Sequence, residues 1–299
     1  MDQLIKVIVL AILQGVTELF PVSSLGHTII IPSLLGWGDV VGQDTFLPIV
    51  VILHLGTAIA LLVFYWRDWL GLIRAFFKTI FARRLDADPL GKTIWLVIVA
   101  TIPVGLLGLI FEKKIDEWFF TAKYPVLPAA FLCLNGAVLL SAELLRKRSE
   151  EDEGAGLPAA KRQEAFKSIN DLTFLQALGI GFLQAAALLP GISRSGITMV
   201  GCLRVKMRRE DAAHFTFLLL TPVIVAAALK ELPKLIHAGS HMLIIAGIGG
   251  VVAAIAAFLS IRFLTRYFQV GRLTPFAIYC LIAGFATFAF FAAQIMLGS

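Results

Sequence analysis

Six long uncharged stretches constrain this chain more than any other feature. They cover residues 45–66, 93–111, 124–142, 212–229, 242–261 and 273–297, and charged residues interrupt the chain between them. A helix that crosses a bilayer needs about 20 mostly apolar residues. Only 15% of the residues are charged, whereas an ordinary soluble domain carries about 25%, so no soluble domain of useful size remains. The sequence therefore predicts an all-α polytopic membrane protein with six transmembrane helices.

Two further apolar segments are broken near their middle. They read LQGVTELFPVSSLGHT over 13–28 and LQAAALLPGISRSGIT over 183–198, and at an offset of 170 residues Leu, Gln, Ser, Gly and Thr recur in register. Irregular backbone at membrane depth is tolerated only where it is buried in protein or lines a cavity. Each segment therefore predicts a re-entrant helix pair that enters and leaves on one side. The alternative is that 172–193 forms a seventh span.

The distribution of Lys and Arg favours six spans over seven. Of the 26 basic residues, 19 fall on one side, in loops 67–92, 146–171, 204–209 and 262–272, whereas 6 fall on the other side. The positive-inside rule places the richer side in the cytoplasm and both termini on the periplasmic side. A seventh span would move the last two loops outside. The excess of Lys and Arg is therefore explained by membrane topology, and it gives no indication of nucleic-acid binding.

The order of these elements predicts an internal duplication. Residues 1–145 and 172–299 each hold a re-entrant helix pair followed by three transmembrane helices, and a cytoplasmic linker over 146–171 joins them. Three is an odd number, so the second half is expected to be inverted relative to the first. Inverted repeats are common in transporters, where the site lies at the repeat interface near the bilayer middle.

The two broken segments also carry ionisable residues, which are functional candidates by default at membrane depth. These are Glu18 and His27 in the first copy and Arg194 in the second. Gln14 and Glu18 are four residues apart and share one helix face. His54 and His214, which lie in or beside other spans, are interpreted as packing residues.

If the two breaks meet, two helix N-termini point at one place, and their free N–H groups favour an anion. Arg194 adds a fork suited to phosphate oxygens. The sequence thus predicts a phosphate site with an acid, a base or nucleophile, and a charge clamp. The predicted site also has hydroxyl groups, from Ser23, Ser24, Ser193, Ser195 and Thr198. Two glycines, Gly191 and Gly196, complete it with backbone groups.

Three motifs resemble the undecaprenyl-diphosphate phosphatases, a family of bacterial membrane enzymes that confer bacitracin resistance. The motifs are QGVTE over 14–18, PVSSLGH over 21–27 and PGISRSG over 190–196, and the resemblance extends over nearly the whole chain. It implies hydrolysis of undecaprenyl diphosphate to the monophosphate and inorganic phosphate, which recycles the lipid carrier of peptidoglycan synthesis. It also implies a divalent cation (magnesium or calcium), the bacterial cytoplasmic membrane, and a site that opens to the periplasm.

The resemblance also implies roles for the site residues. Arg194 would clamp the phosphates, and Glu18 would hold the metal together with Gln14, which stands where many members have Glu. His27 would be the general base or nucleophile, with Ser24 as the rival nucleophile. The phosphate oxygens would be held by Ser23, Ser24, Ser193, Ser195, Thr198, Gly191 and Gly196.

One alternative function remains open at this stage. A transporter or flippase of a phosphorylated lipid would use the same repeats and the same anion site without needing a base. The expected partners are undecaprenyl diphosphate, membrane lipid and, as a candidate assembly, a second copy of the chain in a homodimer.

Overall fold

The structure, a computed structural model, describes residues 2–37, 46–119, 125–153, 166–237 and 240–297. Over these residues it contains eleven α-helices and no β-strand. In chain order the helices are α1 (Asp2–Thr17), α2 (Ser24–Leu34), α3 (Phe46–Phe64), α4 (Trp66–Ala82), α5 (Gly91–Phe119), α6 (Val126–Glu153), α7 (Phe174–Ala185), α8 (Arg194–Arg204), α9 (Arg209–His237), α10 (Ser240–Tyr267) and α11 (Thr274–Leu297).

Five of these helices, α5, α6, α9, α10 and α11, are long and apolar enough to cross a membrane. The bent pair formed by α3 and α4 supplies a sixth candidate span. Each predicted stretch has its centre in one of these helices. The outer surface stays apolar, as at Leu109, Val251 and Phe285, which are all exposed, and this is expected where lipid replaces water. The predicted all-α polytopic membrane fold is confirmed.

Helix α4 differs from the sequence prediction, which assigned 67–92 to a connecting loop. The chain turns by 82° between α3 and α4. One side of α4 buries Leu72 and Ala75, and the opposite side exposes Phe77 and Phe81. An amphipathic helix at a steep angle to its neighbouring span is typical of a membrane interface. The loop prediction was therefore wrong over α4, because the segment was judged by its charges and not by its helical periodicity.

The two broken segments form pairs of short helices. Helix α7 has 12 residues, which gives a length of about 18 Å, well below the roughly 30 Å of a bilayer core. The Thr173 hydroxyl accepts a hydrogen bond from the backbone N–H of Gln176, and the Gln176 side chain accepts one from the N–H of Thr173. This capping box fixes where α7 begins. Because α7 is too short to cross alone, the structure gives no support to a seventh span.

The short helices pack tightly against long ones. Helix α1 lies along α10, and helix α7 lies along α5. A Cβ atom at Gly15 of α1 would lie 2.4 Å from the carbonyl oxygen of Ala253, and one at Gly181 of α7 would lie 2.3 Å from that of Ala100. Small residues of this kind let helices approach closely in a membrane. Both short helices are thus held at backbone contact.

The linker predicted over 146–171 is partly helical. Residues 146–153 continue α6, and residues 154–165 lie outside the described part of the chain. The backbone N–H of Lys167 donates to the carbonyl of Lys206 at 2.8 Å, and that of Arg208 donates to Lys167 at 2.9 Å. The described ends of the linker are therefore ordered by α6 and by the segment that precedes α9.

A buried ion pair joins three helices near that linker. Both carboxylate oxygens of Glu143 on α6 accept hydrogen bonds from Arg209 of α9, at 2.8 and 2.7 Å. The backbone N–H of Leu273, just before α11, donates to the same carboxylate at 3.0 Å. Because Glu143 is buried, this pair fixes the relative positions of α6, α9 and α11.

Candidate active site

The two broken segments meet inside the helical bundle. The backbone N–H of Gly191 donates to the Ser23 hydroxyl at 3.1 Å, and the Ser195 hydroxyl donates to the carbonyl of Phe20 at 3.2 Å. A Cβ atom at Gly26 would lie 3.0 Å from the Cα of Gly191. The condition on which the predicted anion site depends, that the breaks touch, is therefore met.

Corresponding serines cap the helices that follow the two breaks. The Ser23 hydroxyl accepts from the N–H of Gly26 at the start of α2, at 3.3 Å. The Ser193 hydroxyl accepts from the N–H of Gly196 at the start of α8, at 3.1 Å. Ser23 has φ of 69°, a conformation that costs a non-glycine residue energy and is concentrated at functional sites. The tight contact of the two breaks holds it there.

Asn135 of α6 bridges the two breaks, and the sequence analysis did not single it out. Its amide nitrogen donates to the carbonyl of Pro21 at 3.0 Å, and its amide oxygen accepts from the N–H of Ser193 at 3.0 Å. The available signal was an uncharged but strongly polar side chain within the stretch 124–142. One buried amide thus satisfies a backbone group on each broken segment.

The Glu18 carboxylate is the centre of a hydrogen-bond network between α1, α2 and α3. Its Oε2 accepts from the Gln14 amide at 3.0 Å and from the Ser24 hydroxyl in a short hydrogen bond. His54 Nε2 lies 3.1 Å from the same oxygen. Glu18 is 5% exposed. The predicted i,i+4 contact between Gln14 and Glu18 is present, and Ser24 is in direct contact with the acid.

His54 belongs to this network, contrary to its interpretation as a packing residue. Its Nδ1 lies 2.8 Å from the carbonyl oxygen of Val50. Because a carbonyl can only accept, Nδ1 donates, and the orientation of the ring directs Nε2 at Glu18. The sequence signal was the position of His54 near the middle of the stretch 45–66, where an ionisable group is a functional candidate. His214, by contrast, stacks on Tyr65 with ring centroids 5.0 Å apart and does not line the cavity at Glu18.

A cavity of about 380 Å³ lies beside this network. Its walls are mostly apolar side chains of α3, α5 and α9, and they also include Lys230 of α9 and polar groups of the two broken segments. Arg194 contributes its guanidinium there, and its Nε is buried with no hydrogen-bond partner among the described residues. An unpaired arginine donor is suited to an anionic oxygen. The polar groups of the two broken segments and of α3 that line the cavity are Glu18, Ser23, Ser24, His54, Ser193 and Arg194.

His27 faces away from this cavity. Its Nδ1 lies 2.6 Å from the carbonyl oxygen of Ser23, its Nε2 lies 2.8 Å from the Tyr279 hydroxyl, and the two rings stack 5.7 Å apart. Both ring nitrogens are therefore engaged. Tyr279 lies on α11, which follows both broken segments in the chain. The other predicted residues that do not line the cavity are Gln14, Ser195, Thr198, Gly191 and Gly196.

Oxygen ligands for a cation are few. The described part of the chain holds no group of three or more His, Cys, Asp or Glu side chains arranged for a metal ion. Glu18 is the carboxylate of the cavity, and the amide oxygen of Gln14 is buried with no hydrogen-bond partner there. Magnesium is commonly held by one or two carboxylates together with substrate phosphates and water. The two side chains fit a cation that arrives with a phosphate ligand.

Fold and site together define a polytopic membrane protein with a polar, arginine-bearing cavity enclosed by two broken helices. The family model described as bacitracin resistance protein BacA matches residues 7–286. The chain belongs to this family.

Several curated relatives are similar over nearly their full length. An undecaprenyl-diphosphatase of Mycolicibacterium paratuberculosis is 44% identical over 306 residues, which cover 96% of this chain and 97% of the relative. An undecaprenyl-diphosphatase 1 of Burkholderia pseudomallei is 44% identical over 276 residues, with 92% of each chain covered. An undecaprenyl-diphosphatase 2 of Frankia alni is 42% identical over 327 residues, with coverage of 92% and 94%.

Proposed function

We propose that this chain hydrolyses undecaprenyl diphosphate to undecaprenyl phosphate and inorganic phosphate. The observation that carries the proposal is the cavity in which the Ser24 hydroxyl donates to the Glu18 carboxylate and Arg194 has a free donor. Nucleophile, base and charge clamp are the parts that phosphoryl transfer requires. The names of the relatives identify the lipid. Recycling of this carrier lipid supplies peptidoglycan synthesis and accounts for the bacitracin resistance in the family description.

Ser24 is the nucleophile in this proposal. Its Oγ attacks the distal phosphorus while its proton passes to Glu18, and the bond to the bridging oxygen breaks, so that undecaprenyl phosphate leaves. Water then attacks the phosphoserine. The proton that Glu18 took returns to Ser24 Oγ as the bond between that oxygen and phosphorus breaks, the protons of the water stay with the phosphate, and inorganic phosphate is released with Glu18 ionised again. Arg194 and the N-termini of α2 and α8 hold the phosphate oxygens as charge develops on them.

His27 and His54 act through their neighbours. With one nitrogen at the Ser23 carbonyl and the other at the Tyr279 hydroxyl, His27 positions the strained backbone that presents Ser24. His54 holds the carboxylate of Glu18 in place. The geometry thus favours Ser24 over His27, the two candidates that the sequence left open, as the nucleophile.

The divalent cation is part of the proposal. Glu18 and the amide oxygen of Gln14 would hold it, with phosphate oxygens and water completing the shell. When bound, it would neutralise phosphate charge and so ease attack by an oxygen nucleophile. Because Glu18 and Gln14 are the two ligands found for a cation among the described residues, we expect tight binding only in the presence of a diphosphate or phosphate ligand.

The membrane placement is proposed as well. The excess of Lys and Arg in four of the loops supports a cytoplasmic location for those loops and a periplasmic location for both termini in the bacterial inner membrane. The proposed inverted repeat relates α1 to α7 and α10 to α5, and the packing of α1 on α10 and of α7 on α5 supports it. The site then opens to the periplasm. A homodimer in this membrane is a further prediction, and mass measurement in lipid nanodiscs tests it.

The deciding experiment is release of inorganic phosphate from undecaprenyl diphosphate by the detergent-purified chain. Reactions with magnesium, with calcium and with chelator are compared, alongside Arg194→Ala. Cation-dependent release that Arg194→Ala abolishes supports the proposal. If a well-folded chain releases no phosphate with either cation but binds the lipid, the proposal fails, and transport of a phosphorylated lipid becomes the better account of the cavity.

A further inference from the structure

The cavity has an apolar neighbour on the lipid-facing side of α5. This second space, of about 400 Å³, is lined by side chains of α4, α5 and α9, among them Trp69, Ile98 and Leu106. It shares three lining residues with the active-site cavity: Thr101 and Gly105 of α5 and Pro222 of α9. We call the second space the α5 groove. The two spaces therefore adjoin at one place on α5, opposite the proline of α9.

The chemistry of the α5 groove suits a hydrocarbon. No charged side chain lines it. The Thr101 hydroxyl, the polar group at the junction, donates to the carbonyl of Val97 at 2.8 Å, so it is satisfied by its own helix. Ile102 and Leu106, which also line the groove, are half exposed on a helix that crosses the membrane. The groove thus leads from a charged cavity to the lipid phase.

Gly105 keeps the junction open. A Cβ atom built at Gly105 meets nothing within 4 Å, so no packing requirement explains a glycine within a spanning helix. Glycine in a helix interior costs about 1 kcal/mol relative to alanine. At the junction, however, the missing side chain leaves room for a chain to pass between α5 and α9.

We propose that the polyprenyl chain of the substrate leaves the cavity at Thr101, Gly105 and Pro222, and that the α5 groove binds the isoprene units nearest the diphosphate. The inference rests on the proposed function, because it takes the headgroup to lie at Glu18 and Arg194. It adds a binding site for the hydrocarbon of a long-chain prenyl diphosphate. Affinity for that site then depends on chain length, whereas the phosphate contacts do not.

The chain offers a matched control for a test. Gly247 of α10 is also a glycine at which an added Cβ meets nothing within 4 Å. It lines a different apolar groove, of about 510 Å³, between α3 and α10, which shares no lining residue with the active-site cavity. Gly105→Leu and Gly247→Leu therefore introduce the same side chain into two apolar grooves, and only the first adjoins the site.

The experiment compares kcat/KM for undecaprenyl diphosphate and for methyl diphosphate, a short substrate without isoprene units, in wild type and both variants, after thermal midpoints confirm folding. Gly105→Leu is expected to lower kcat/KM for the long substrate at least tenfold more than kcat/KM for the short substrate. Gly247→Leu is expected to leave both within threefold. Equal losses for both substrates in Gly105→Leu, no loss at all, or the same selective loss in Gly247→Leu would overturn the proposal.

A labelling experiment keeps the test independent of turnover. A polyprenyl diphosphate with a diazirine in its first isoprene units is photolysed on the wild-type protein, and labelled peptides are identified by mass spectrometry. Labels are expected on groove residues that do not line the active-site cavity, such as Trp69 of α4 and Ile98 or Ile102 of α5, and labels confined to the cavity or to α10 would overturn the proposal. If wild type labels at these groove residues but releases no phosphate from either substrate, the proposed hydrolysis fails while the groove assignment stands.

Discussion

Gln14 and Glu18 are adjacent in the site, but the structure predicts unequal effects of their removal. Gln14 contributes one of the three groups that surround Glu18 Oε2, at 3.0 Å, and Ser24 and His54 remain when it is lost. A hydrogen bond to a charged group contributes about 1.5–3 kcal/mol net. We take the lower end of this range, because Ser24 and His54 still hold the Glu18 carboxylate when Gln14 is lost. At 1.36 kcal/mol per factor of ten, Gln14→Ala is expected to lower kcat about tenfold.

Removal of Glu18 affects the chemical step itself. General-base catalysis typically contributes about 10²–10⁴-fold, and Glu18→Ala also removes the group that orients Ser24 through their short hydrogen bond. We therefore expect a loss of about 10³-fold or more in kcat. Glu18→Gln preserves the size of the side chain and keeps one oxygen acceptor, but its amide cannot take the proton from Ser24. It is expected to lose nearly as much activity as Glu18→Ala.

The assay is the initial rate of phosphate release at saturating undecaprenyl diphosphate, with magnesium varied for each variant and thermal midpoints measured as a control for folding. If the amide oxygen of Gln14 contacts the cation, Gln14→Ala also raises the magnesium concentration that gives half-maximal rate. Equal, near-total losses in Gln14→Ala and Glu18→Ala at saturating magnesium would refute the reasoning, because they would give the amide a role that its single contact to Glu18 does not explain.

Four further outcomes are expected. Ser24→Ala abolishes phosphate release, and rapid acid quenching of wild type yields phosphoserine at that position by mass spectrometry; turnover in the variant would contradict nucleophilic attack. Arg194→Lys keeps the charge but loses the fork and raises KM at least tenfold in steady-state kinetics. His54→Gln, which keeps a donor for Glu18, retains activity within tenfold of wild type, whereas His54→Ala does not; equal values would contradict its positioning role. Glu143→Gln removes the buried negative charge that faces Arg209, at a cost of about 3–5 kcal/mol, and lowers the thermal midpoint, unlike Asp86→Asn at an exposed ion pair.

Hydropathy was sufficient to predict the spanning helices, because a bilayer leaves few alternatives for long uncharged stretches. The breaks at Pro21 and Pro190 were equally readable, since proline cannot continue a helix without loss of a backbone hydrogen bond. Helix α4 was missed. Its charged residues were counted as loop charges, although its buried and exposed apolar residues alternate with the period of a helix.

The site was predictable only where its residues lie within the two motifs. Glu18, Ser24 and Arg194 were identified from sequence, and the structure places all three at one cavity. Asn135 and His54 come from α6 and α3, and tertiary packing alone brings them to the motifs. His27 shows that a residue within a motif can also point away from the cavity. It follows Ser24 by three residues, yet its side chain turns to Tyr279, because the orientation of α2 about its axis is set by its neighbours.

The two broken segments share caps and breaks but differ in the side chains that they bring to the cavity. At the offset of 170 residues, Ser23 corresponds to Ser193, and both cap the helix that follows. Ser24, however, corresponds to Arg194, and Glu18 corresponds to a leucine. A phosphoryl group must meet a nucleophile on one side and positive charge around its oxygens, so two identical halves would bring either two nucleophiles or two clamps. In the proposed mechanism, the shared caps and breaks bring both helix N-termini to the phosphate, and the differing side chains divide the chemistry between the two broken segments. Exchange of Ser24 and Arg194 between the two positions would keep the composition of the cavity but separate the hydroxyl from its base, and we expect such a double variant to fold and to be inactive.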